Sequence, residues 1–170
     1  RRPSIHHPAP DRLNLMTTLL DAIAGVANAT QVTPTLVTGG QPTAKQLAAL
    51  KAAGAAVVLD ARDPMEPRPF DEPATVRALG MEYVNIPVVP GRLDDALLER
   101  ILDVVRKNAD RPMFFHCGSG NRVGGPLLAY LMIDRGMDED PATELAMKIG
   151  LRSPEMLEWG VEDARKMTER

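Results

Sequence analysis

Cysteine is nearly absent from this chain: Cys117 is the only one among 170 residues. A single cysteine excludes a disulfide framework within the chain and any cysteine-rich metal site. Histidine is also scarce, and two of the three, His6 and His7, lie in the proline-rich first ten residues. We assign no metal to that pair. Hydrophobic residues make up 44% of the chain, which is enough for a proper core.

The chain also lacks a large excess of charge of one sign, and it has no long apolar run. The formal net charge is −3, with both signs scattered and no basic stripe or tail; nucleic acid is therefore not an expected partner. No apolar run approaches the ~20 residues that span a bilayer, so we expect no membrane partner. We expect the protein to be soluble and to be located in the cytoplasm. If a secretory leader preceded Arg1 and was removed, we expect the periplasm instead.

The sequence predicts a flexible tail over residues 1–10 and a single α/β domain over residues 11–170. Apolar runs typical of buried strands alternate with segments whose apolar residues recur at helical spacing. Predicted strands cover 35–38, 55–60, 81–88 and 112–115, and predicted helices cover 11–24, 43–54, 74–79, 93–108, 124–135, 140–149 and 153–167. This alternation predicts a mainly parallel central sheet flanked by helices, with an extra helix at the N-terminus.

The most informative segment is residues 114–122, Phe-Phe-His-Cys-Gly-Ser-Gly-Asn-Arg, which contains the single cysteine. An apolar run ends there in a glycine-rich loop, and a helical pattern follows. Backbone N–H groups of such a loop, next to a helix N-terminus, converge on an anion, and Arg122 can add a bidentate fork. A cysteine in that position is held as the thiolate, the form that attacks. We therefore predict a reactive Cys117 in an oxyanion site rather than a small buried side chain.

Several segments together resemble the cysteine-dependent protein tyrosine and dual-specificity phosphatases, over about residues 36–164. The likeness rests on the Thr-Gly-Gly-Gln-Pro-Thr segment at 38–43, the helix at 47–54, the strand at 57–60, residues 79–87, the His116-Cys117 loop and residues 128–137. Within this superfamily the chain especially resembles the small bacterial domains called beta-lactamase-hydrolase-like, and the phosphatase domain fused to NAD kinases.

The resemblance implies a phosphatase-like fold and two-step hydrolysis of a phosphomonoester. Cys117 would attack phosphorus to form a phosphocysteine, which water would then hydrolyse, while His116 would orient the loop and favour the thiolate. The oxyanions would be held by Gly118, Ser119, Gly120, Asn121 and Arg122. The resemblance implies neither a metal nor an organic cofactor, and a phosphorylated small molecule or phosphoprotein as the substrate.

Two features of the loop keep other functions open. Only four residues separate Cys117 from Arg122, whereas the phosphatase signature has five, and Val123 stands where a serine or threonine usually follows the arginine. A six-residue loop of this length is found in rhodanese-type sulfurtransferases. The alternatives are therefore a sulfurtransferase that carries a persulfide on Cys117, and a non-catalytic module that only binds phosphate.

The residue that would protonate the leaving group is left open by the sequence. In the phosphatases it comes from the loop after the predicted strand 81–88, where Asp94 is the nearest candidate but is equally suited to cap a helix. Asp63 is the second candidate, and an ordinary turn residue is its plainer interpretation. Loops 64–73 and 89–94 are expected to set specificity, with a positive rim formed by Arg62, Arg68 and Arg92.

Overall fold

The computed structural model describes residues 17–169, which form one sheet with helices on both faces. The strands are β1 (Thr30–Thr33), β2 (Leu36–Gly39), β3 (Val57–Asp60), β4 (Glu82–Asn85) and β5 (Met113–His116). The helices are α1 (Leu19–Ala22), α2 (Ala44–Ala52), α3 (Glu72–Ala78), α4 (Asp95–Lys107), α5 (Asn121–Ile133), α6 (Glu139–Ile149) and α7 (Pro154–Thr168). None of the helices in this part of the chain combines the length and the apolar character needed to cross a bilayer.

The strand order is β1-β2-β5-β3-β4, and the last four strands run parallel to one another. The prediction of a mainly parallel sheet is confirmed. The antiparallel edge strand β1 was missed by the sequence analysis. Of its residues, Thr-Gln-Val-Thr, only Thr33 is buried, and such an edge strand needs no apolar run that periodicity could detect.

Side chains alternate between the two faces of the sheet, and each face has its own core. Leu59 and Phe115 pack with the cluster that also contains residues of α4, α5, α6 and α7. Val58 and Phe114, their neighbours in the chain, pack with the cluster that contains residues of α1, α2 and α3. The sheet is therefore covered on both sides, which leaves the carboxyl ends of its strands as the place for a site.

Two helices begin two or more residues earlier than the sequence analysis predicts. Helix α3 begins at Glu72, two residues earlier than expected, because the Asp71 side chain caps it by accepting from the backbone N–H of Ala74. Helix α5 begins at Asn121 rather than at Gly124, with Gly120 as its N-cap. Both shifts bring polar residues of the first helical turn to the carboxyl end of the sheet.

The predicted N-terminal helix over 11–24 is described only from residue 17 onward. There α1 covers Leu19–Ala22, and Thr18 caps it through a capping box with Asp21. The start of the predicted helix, the predicted tail over residues 1–10 and the pair His6 and His7 lie outside the described residues.

Candidate active site

Cys117 directly follows β5, the central strand of the sheet, and is only 1% exposed. Its backbone N–H donates to the carbonyl of Gly39 at 3.3 Å, and the N–H of Gln41 donates to the carbonyl of Gly118 at 3.0 Å. The cysteine loop is thus attached to the end of the neighbouring strand β2. This is the carboxyl edge where ligands bind in parallel sheets.

Glycines let the backbone approach the cysteine loop from both sides. A Cβ on Gly40 would lie 2.5 Å from the carbonyl oxygen of Gly118. Gly120 has a φ of 103°, and a Cβ there would lie 2.1 Å from the carbonyl oxygen of Ile149. Neither position has room for a side chain. The loop is therefore confined between the end of β2 and the end of α6.

A backbone amide of the loop contacts the cysteine sulfur. The N–H of Gly120 donates to Cys117 Sγ at 3.0 Å. The N–H groups of Gly118 and Ser119 donate to no acceptor within residues 17–169, so they are available to an oxyanion. The side chain of Asn121 has a different task, because its Oδ1 accepts from the backbone N–H groups of Arg152 and Ser153 and fixes the connection between α6 and α7.

Arg122, in the first turn of α5, forms a two-point ion pair with Glu66. Its Nη1 donates to one carboxylate oxygen, and its Nη2 lies 3.3 Å from the other. Arg62 Nε donates to the same carboxylate at 2.9 Å. The hydrogen bond from Arg122 lowers the pKa of Glu66 to about 2; burial opposes this, and Arg62 adds to it. Glu66 is therefore an anion at neutral pH.

The pKa of Arg122 is raised above its ordinary value. Burial alone would lower this pKa, but the hydrogen bond with Glu66 and the electrostatic attraction of Cys117 and Glu66 outweigh burial. The guanidinium extends back toward the loop, since a Cβ on Gly118 would lie 3.3 Å from its Nη2. Arg122 is thus a fixed cation between the cysteine and Glu66, where it can hold an anion.

His116 is completely buried and lies against a second carboxylate that the sequence analysis missed. Its Nε2 is 2.6 Å from Glu72 Oε2, and its Nδ1 is 3.2 Å from the carbonyl oxygen of Cys117. Burial alone would raise the pKa of Glu72, but His116, Gln41 and Arg68 together lower it. His116 is therefore fixed at both ring nitrogens, which suits an orienting role beside the nucleophile.

Asp60, Glu72 and His116 bring their donor atoms within 4.8 Å of one another, a spacing that metal sites require. Their oxygens are already engaged in direct hydrogen bonds, however. The Glu72–His116 contact of 2.6 Å leaves no space for an ion between the two groups. Asp60 accepts from the Tyr83 hydroxyl at 2.7 Å and from the backbone N–H of Arg62 at 2.9 Å. The group is a hydrogen-bonded support beneath the loop.

The two candidates for the general acid occupy different places. The carboxylate of Asp94 caps α4 by accepting from the backbone N–H of Leu97 at 2.7 Å, so its helix-capping interpretation is confirmed. Asp63 lies on a surface depression that Arg122 and Glu66 also line. Its Oδ1 accepts from the backbone N–H of Met65. Of the two candidates, Asp63 is the one that shares this depression with Arg122.

The predicted positive rim is wrong for two of its three arginines. Arg62 is 8% exposed and donates to Glu66, Gln41 Oε1 and the carbonyl of Pro67. Arg68 extends toward the buried Asp60, with 3.5 Å between Nη2 and Oδ2. The half-buried carboxylate of Glu66 and the buried carboxylate of Asp60 draw these two side chains inward. Arg92 is exposed, and the depression is otherwise lined by Met65, Pro67, Val88, Val89 and Pro90.

Comparisons with known proteins point to phosphatases. The family model PTP-NADK, described as DSP-PTPase phosphatase fused to NAD+ kinase, matches residues 20–158. No curated protein matches the chain. A DUF442 protein from Shewanella putrefaciens has a similar structure, with a TM-score of 0.75 and 22% identity over 87% of this chain and 98% of that one.

Two further structures share the fold at low sequence identity. TpbA from P. aeruginosa, solved in complex with pTyr, has a TM-score of 0.62 and 22% identity over 82% of this chain and 81% of that one. The core catalytic domain of a PP-IP phosphatase from S. cerevisiae has a TM-score of 0.69 and 14% identity over 85% of this chain and 93% of that one. These likenesses show that the phosphatase-like fold extends over most of the chain.

Proposed function

The chain belongs to the PTP-NADK family of DSP-PTPase phosphatases fused to NAD+ kinase, and we propose that it hydrolyses a phosphomonoester with Cys117 as the nucleophile. One observation carries the proposal. The cysteine sulfur, the unengaged N–H groups of Gly118 and Ser119, and the fixed cation of Arg122 all meet at the carboxyl end of the sheet. A nucleophile surrounded by oxyanion donors is the arrangement that phosphoryl transfer needs.

In the first step the thiolate of Cys117 attacks phosphorus, and an S–P bond forms as the bond from phosphorus to the ester oxygen breaks. The loop amides and Arg122 hold the phosphoryl oxygens, where negative charge is concentrated. The hydrogen bond from the Gly120 N–H to the sulfur supports the anionic form of the nucleophile. His116, held between Glu72 and the carbonyl of Cys117, keeps the loop in position.

The departing ester oxygen requires a proton unless it is a stable anion by itself. Asp63 and Glu66 both share a surface depression with Arg122, and we assign the role of general acid to Asp63. Asp94 is engaged as a helix cap. Glu66 is unsuited to donate a proton at neutral pH, because its ion pair with Arg122 lowers its pKa to about 2.

In the second step a water molecule attacks phosphorus, the S–P bond breaks, and phosphate and the thiolate are released. In related phosphatases a hydroxyl that follows the arginine assists this departure, and this chain has Val123 there. Without that hydroxyl the second step is expected to be slower than the first. A phosphocysteine should therefore accumulate during turnover.

Intact-mass spectrometry after rapid acid quench tests the covalent step directly. We expect a phosphoryl adduct on Cys117 during turnover of an aryl phosphate, and none in the Cys117→Ser variant. Steady phosphate release from wild-type protein with the intermediate absent at every quench time would contradict an accumulating phosphocysteine.

A second candidate, sulfur transfer, is favoured by the length of the loop. Four residues between Cys117 and Arg122 make a tight cradle in which the Gly120 N–H directly contacts the sulfur. Here the thiolate would attack the outer sulfur of a donor such as thiosulfate, forming a persulfide as sulfite departs. A sulfur-mass adduct on Cys117 after incubation with thiosulfate, with no phosphoryl adduct from aryl phosphate, would establish this function instead. Phosphate binding without either adduct would identify a module that only binds.

A further inference from the structure

Gln41, in the Gly-Gly-Gln-Pro segment at 39–42, takes no direct part in the proposed reaction. Gln41 follows β2 and is partly buried between two charged residues. Its amide Nε2 donates to Glu72 Oε1 at 2.6 Å, and its Oε1 accepts from Arg62 Nη1 at 2.5 Å. The Nε2 also contacts the carbonyl oxygen of Pro42 at 3.0 Å. The direction of the amide is thus set by both neighbours.

The two neighbours of Gln41 belong to opposite sides of the site. Glu72 holds His116, the residue before the nucleophile, through the 2.6 Å contact. Arg62 holds Glu66 at 2.9 Å, and Glu66 holds Arg122 by its two-point ion pair. An unbroken series of hydrogen bonds therefore runs from His116 to Arg122, with Gln41 at its centre.

The chemistry of this central position demands an amide. A carboxamide offers a donor at one end and an acceptor at the other without net charge. A carboxylate at position 41 would place one of its oxygens against Glu72, and a cation would face Arg62. Without the amide, Glu72 and Arg62 would each be a buried charge that lacks one of its partners, which is costly.

We propose that Gln41 is a positioning residue that couples the thiolate side of the site, His116 and Glu72, to the phosphate side, Arg62, Glu66 and Arg122. Through this coupling, the group that supports the nucleophile and the group that orients the phosphate are held in one arrangement. The inference rests on the proposed phosphatase function, because it assigns the two sides by the steps of that reaction.

Three other charged residues, Asp60, Asp63 and Arg68, lie near this series of hydrogen bonds. Asp60, at the end of β3, has its Oδ1 3.9 Å from His116 Nε2, and Arg68 pairs with the second oxygen of Asp60. Asp63 lies at the edge of the depression that Glu66 and Arg122 line. None of these three has a hydrogen bond to the Gln41 side chain within residues 17–169. Asp60 contacts Arg62 at its backbone N–H and not at its guanidinium, so the series of hydrogen bonds between side chains joins the two sides through Gln41.

Two variants of Gln41 separate the two sides. Gln41→Met preserves the size of the side chain and removes both hydrogen bonds. Gln41→Glu retains an acceptor for Arg62 but sets a carboxylate oxygen against Glu72. The matched control is Gln46→Glu, the same chemical change on α2. Among residues 17–169, the side chain of Gln46 bonds only to the backbone N–H of Thr43 and to the carbonyl of Ala24.

The readouts do not depend on turnover. The first is the pH profile of Cys117 alkylation by iodoacetamide, which reports the thiolate side. The second is the concentration of inorganic phosphate that protects Cys117 from alkylation, which reports the phosphate side. Melting temperature is measured in parallel to record any loss of stability.

We expect Gln41→Met to weaken phosphate protection ~10-fold or more, because hydrogen bonds to charged groups carry that much energy, and to displace the alkylation profile as well. We expect Gln41→Glu to displace the alkylation profile to higher pH, since a further negative charge opposes the thiolate, while its phosphate protection stays within ~3-fold of wild type. Gln46→Glu should match wild type in both readouts.

Three results would overturn the coupling: Gln41→Met changing only one readout, both Gln41 variants matching the control, or Gln41→Glu losing phosphate protection with an unchanged alkylation profile. If Gln41→Met does not fold, the Gln41→Glu result decides alone. The proposed function fails separately, in wild-type protein, if phosphate gives Cys117 no protection and no phosphate is released from an aryl ester.

Discussion

Glu66 and Arg122 face each other end to end, with both terminal nitrogens of the guanidinium directed at the two oxygens of the carboxylate. The Nε of Arg122 donates to no acceptor within residues 17–169. A guanidinium held in this way retains its Nε edge for a phosphoryl group. Glu66 therefore fixes the orientation of the arginine without occupying all of its donors, and several consequences can be measured.

Removing the charge of Glu66 should impair catalysis rather than enhance it. In Glu66→Gln the arginine loses the two-point pair that orients it, and misorientation of a binding group reduces the rate of the reaction. We expect kcat/KM for an aryl phosphate to fall about 10-fold, because hydrogen bonds to charged groups contribute energy of that order. Glu144→Gln, an exposed position on α6, is the control. A rise in kcat/KM would indicate that Glu66 instead blocks the arginine.

The same ion pair should make the stability of the protein sensitive to acid. The pKa of Glu66 is lowered from 4.5 to about 2 by the hydrogen bond from Arg122, against burial and with help from Arg62. A carboxylate with a lowered pKa stabilises the fold above its unfolded-state pKa, and this contribution is lost as the pH falls through the folded-state value. The free energy of unfolding, measured from about pH 5 to pH 2, should fall more steeply in wild type than in Glu66→Gln. Parallel curves would show that the pair contributes no such stability.

The sheet and the cysteine loop could be predicted because their signals are local. The apolar runs that form β3 and β5, and the short distance from Cys117 to Arg122, are visible within a few residues. The partners of the loop have no such signal: Glu72 is 44 positions from His116, and Glu66 is 56 from Arg122. Their identity depends on how the β3–α3 connection folds over the sheet.

Arg62 and Arg68 were predicted to be exposed and instead point inward, because their partners also depend on the fold. Arg62 and Arg68 stand in a proline-rich segment of mixed charge, a pattern typical of an exposed loop. Only the fold places the buried Asp60 and the half-buried Glu66 beside them. The pair Arg62 and Glu66, four positions apart, was the one local sign of this arrangement.

The assignment of Asp63 as general acid predicts a dependence on the leaving group. Asp63→Asn should lower kcat for phenyl phosphate ~100-fold, since general acid catalysis contributes at least that much. For p-nitrophenyl phosphate, whose leaving group needs little protonation, the loss should be far smaller. Asp94→Asn is the matched control, because asparagine also caps helices. The assignment is wrong if Asp94→Asn, and not Asp63→Asn, shows this dependence.

Asp163 should lower the stability of the protein at neutral pH. It is 4% exposed on α7, and its Oδ2 has no hydrogen-bond partner among the described residues. Burial, then Glu99 and Asp95, raise its pKa. A carboxyl with a raised pKa stabilises the fold only at low pH, and this contribution is lost as the pH rises through the folded-state value.

Asp163→Ala should therefore raise the free energy of unfolding by about 1 kcal/mol at neutral pH, in line with an unsatisfied buried polar group. The gain should shrink toward acid pH. Glu162→Ala, at the exposed neighbouring position, controls for the helix propensity of alanine. A gain for Asp163→Ala that equals the control, or that is independent of pH, would refute the destabilising role.

The central claim is that Cys117 performs phosphate release at the carboxyl end of this sheet. Its most direct test is release of phosphate from p-nitrophenyl phosphate by wild-type protein and by Cys117→Ser, between about pH 5 and pH 8, where activity profiles report the ionisation of catalytic groups. We expect turnover in wild type and none in the variant. Wild-type release no faster than that of Cys117→Ser would show that Cys117 does not catalyse phosphate release, and would leave sulfur transfer or phosphate binding as the function of the loop.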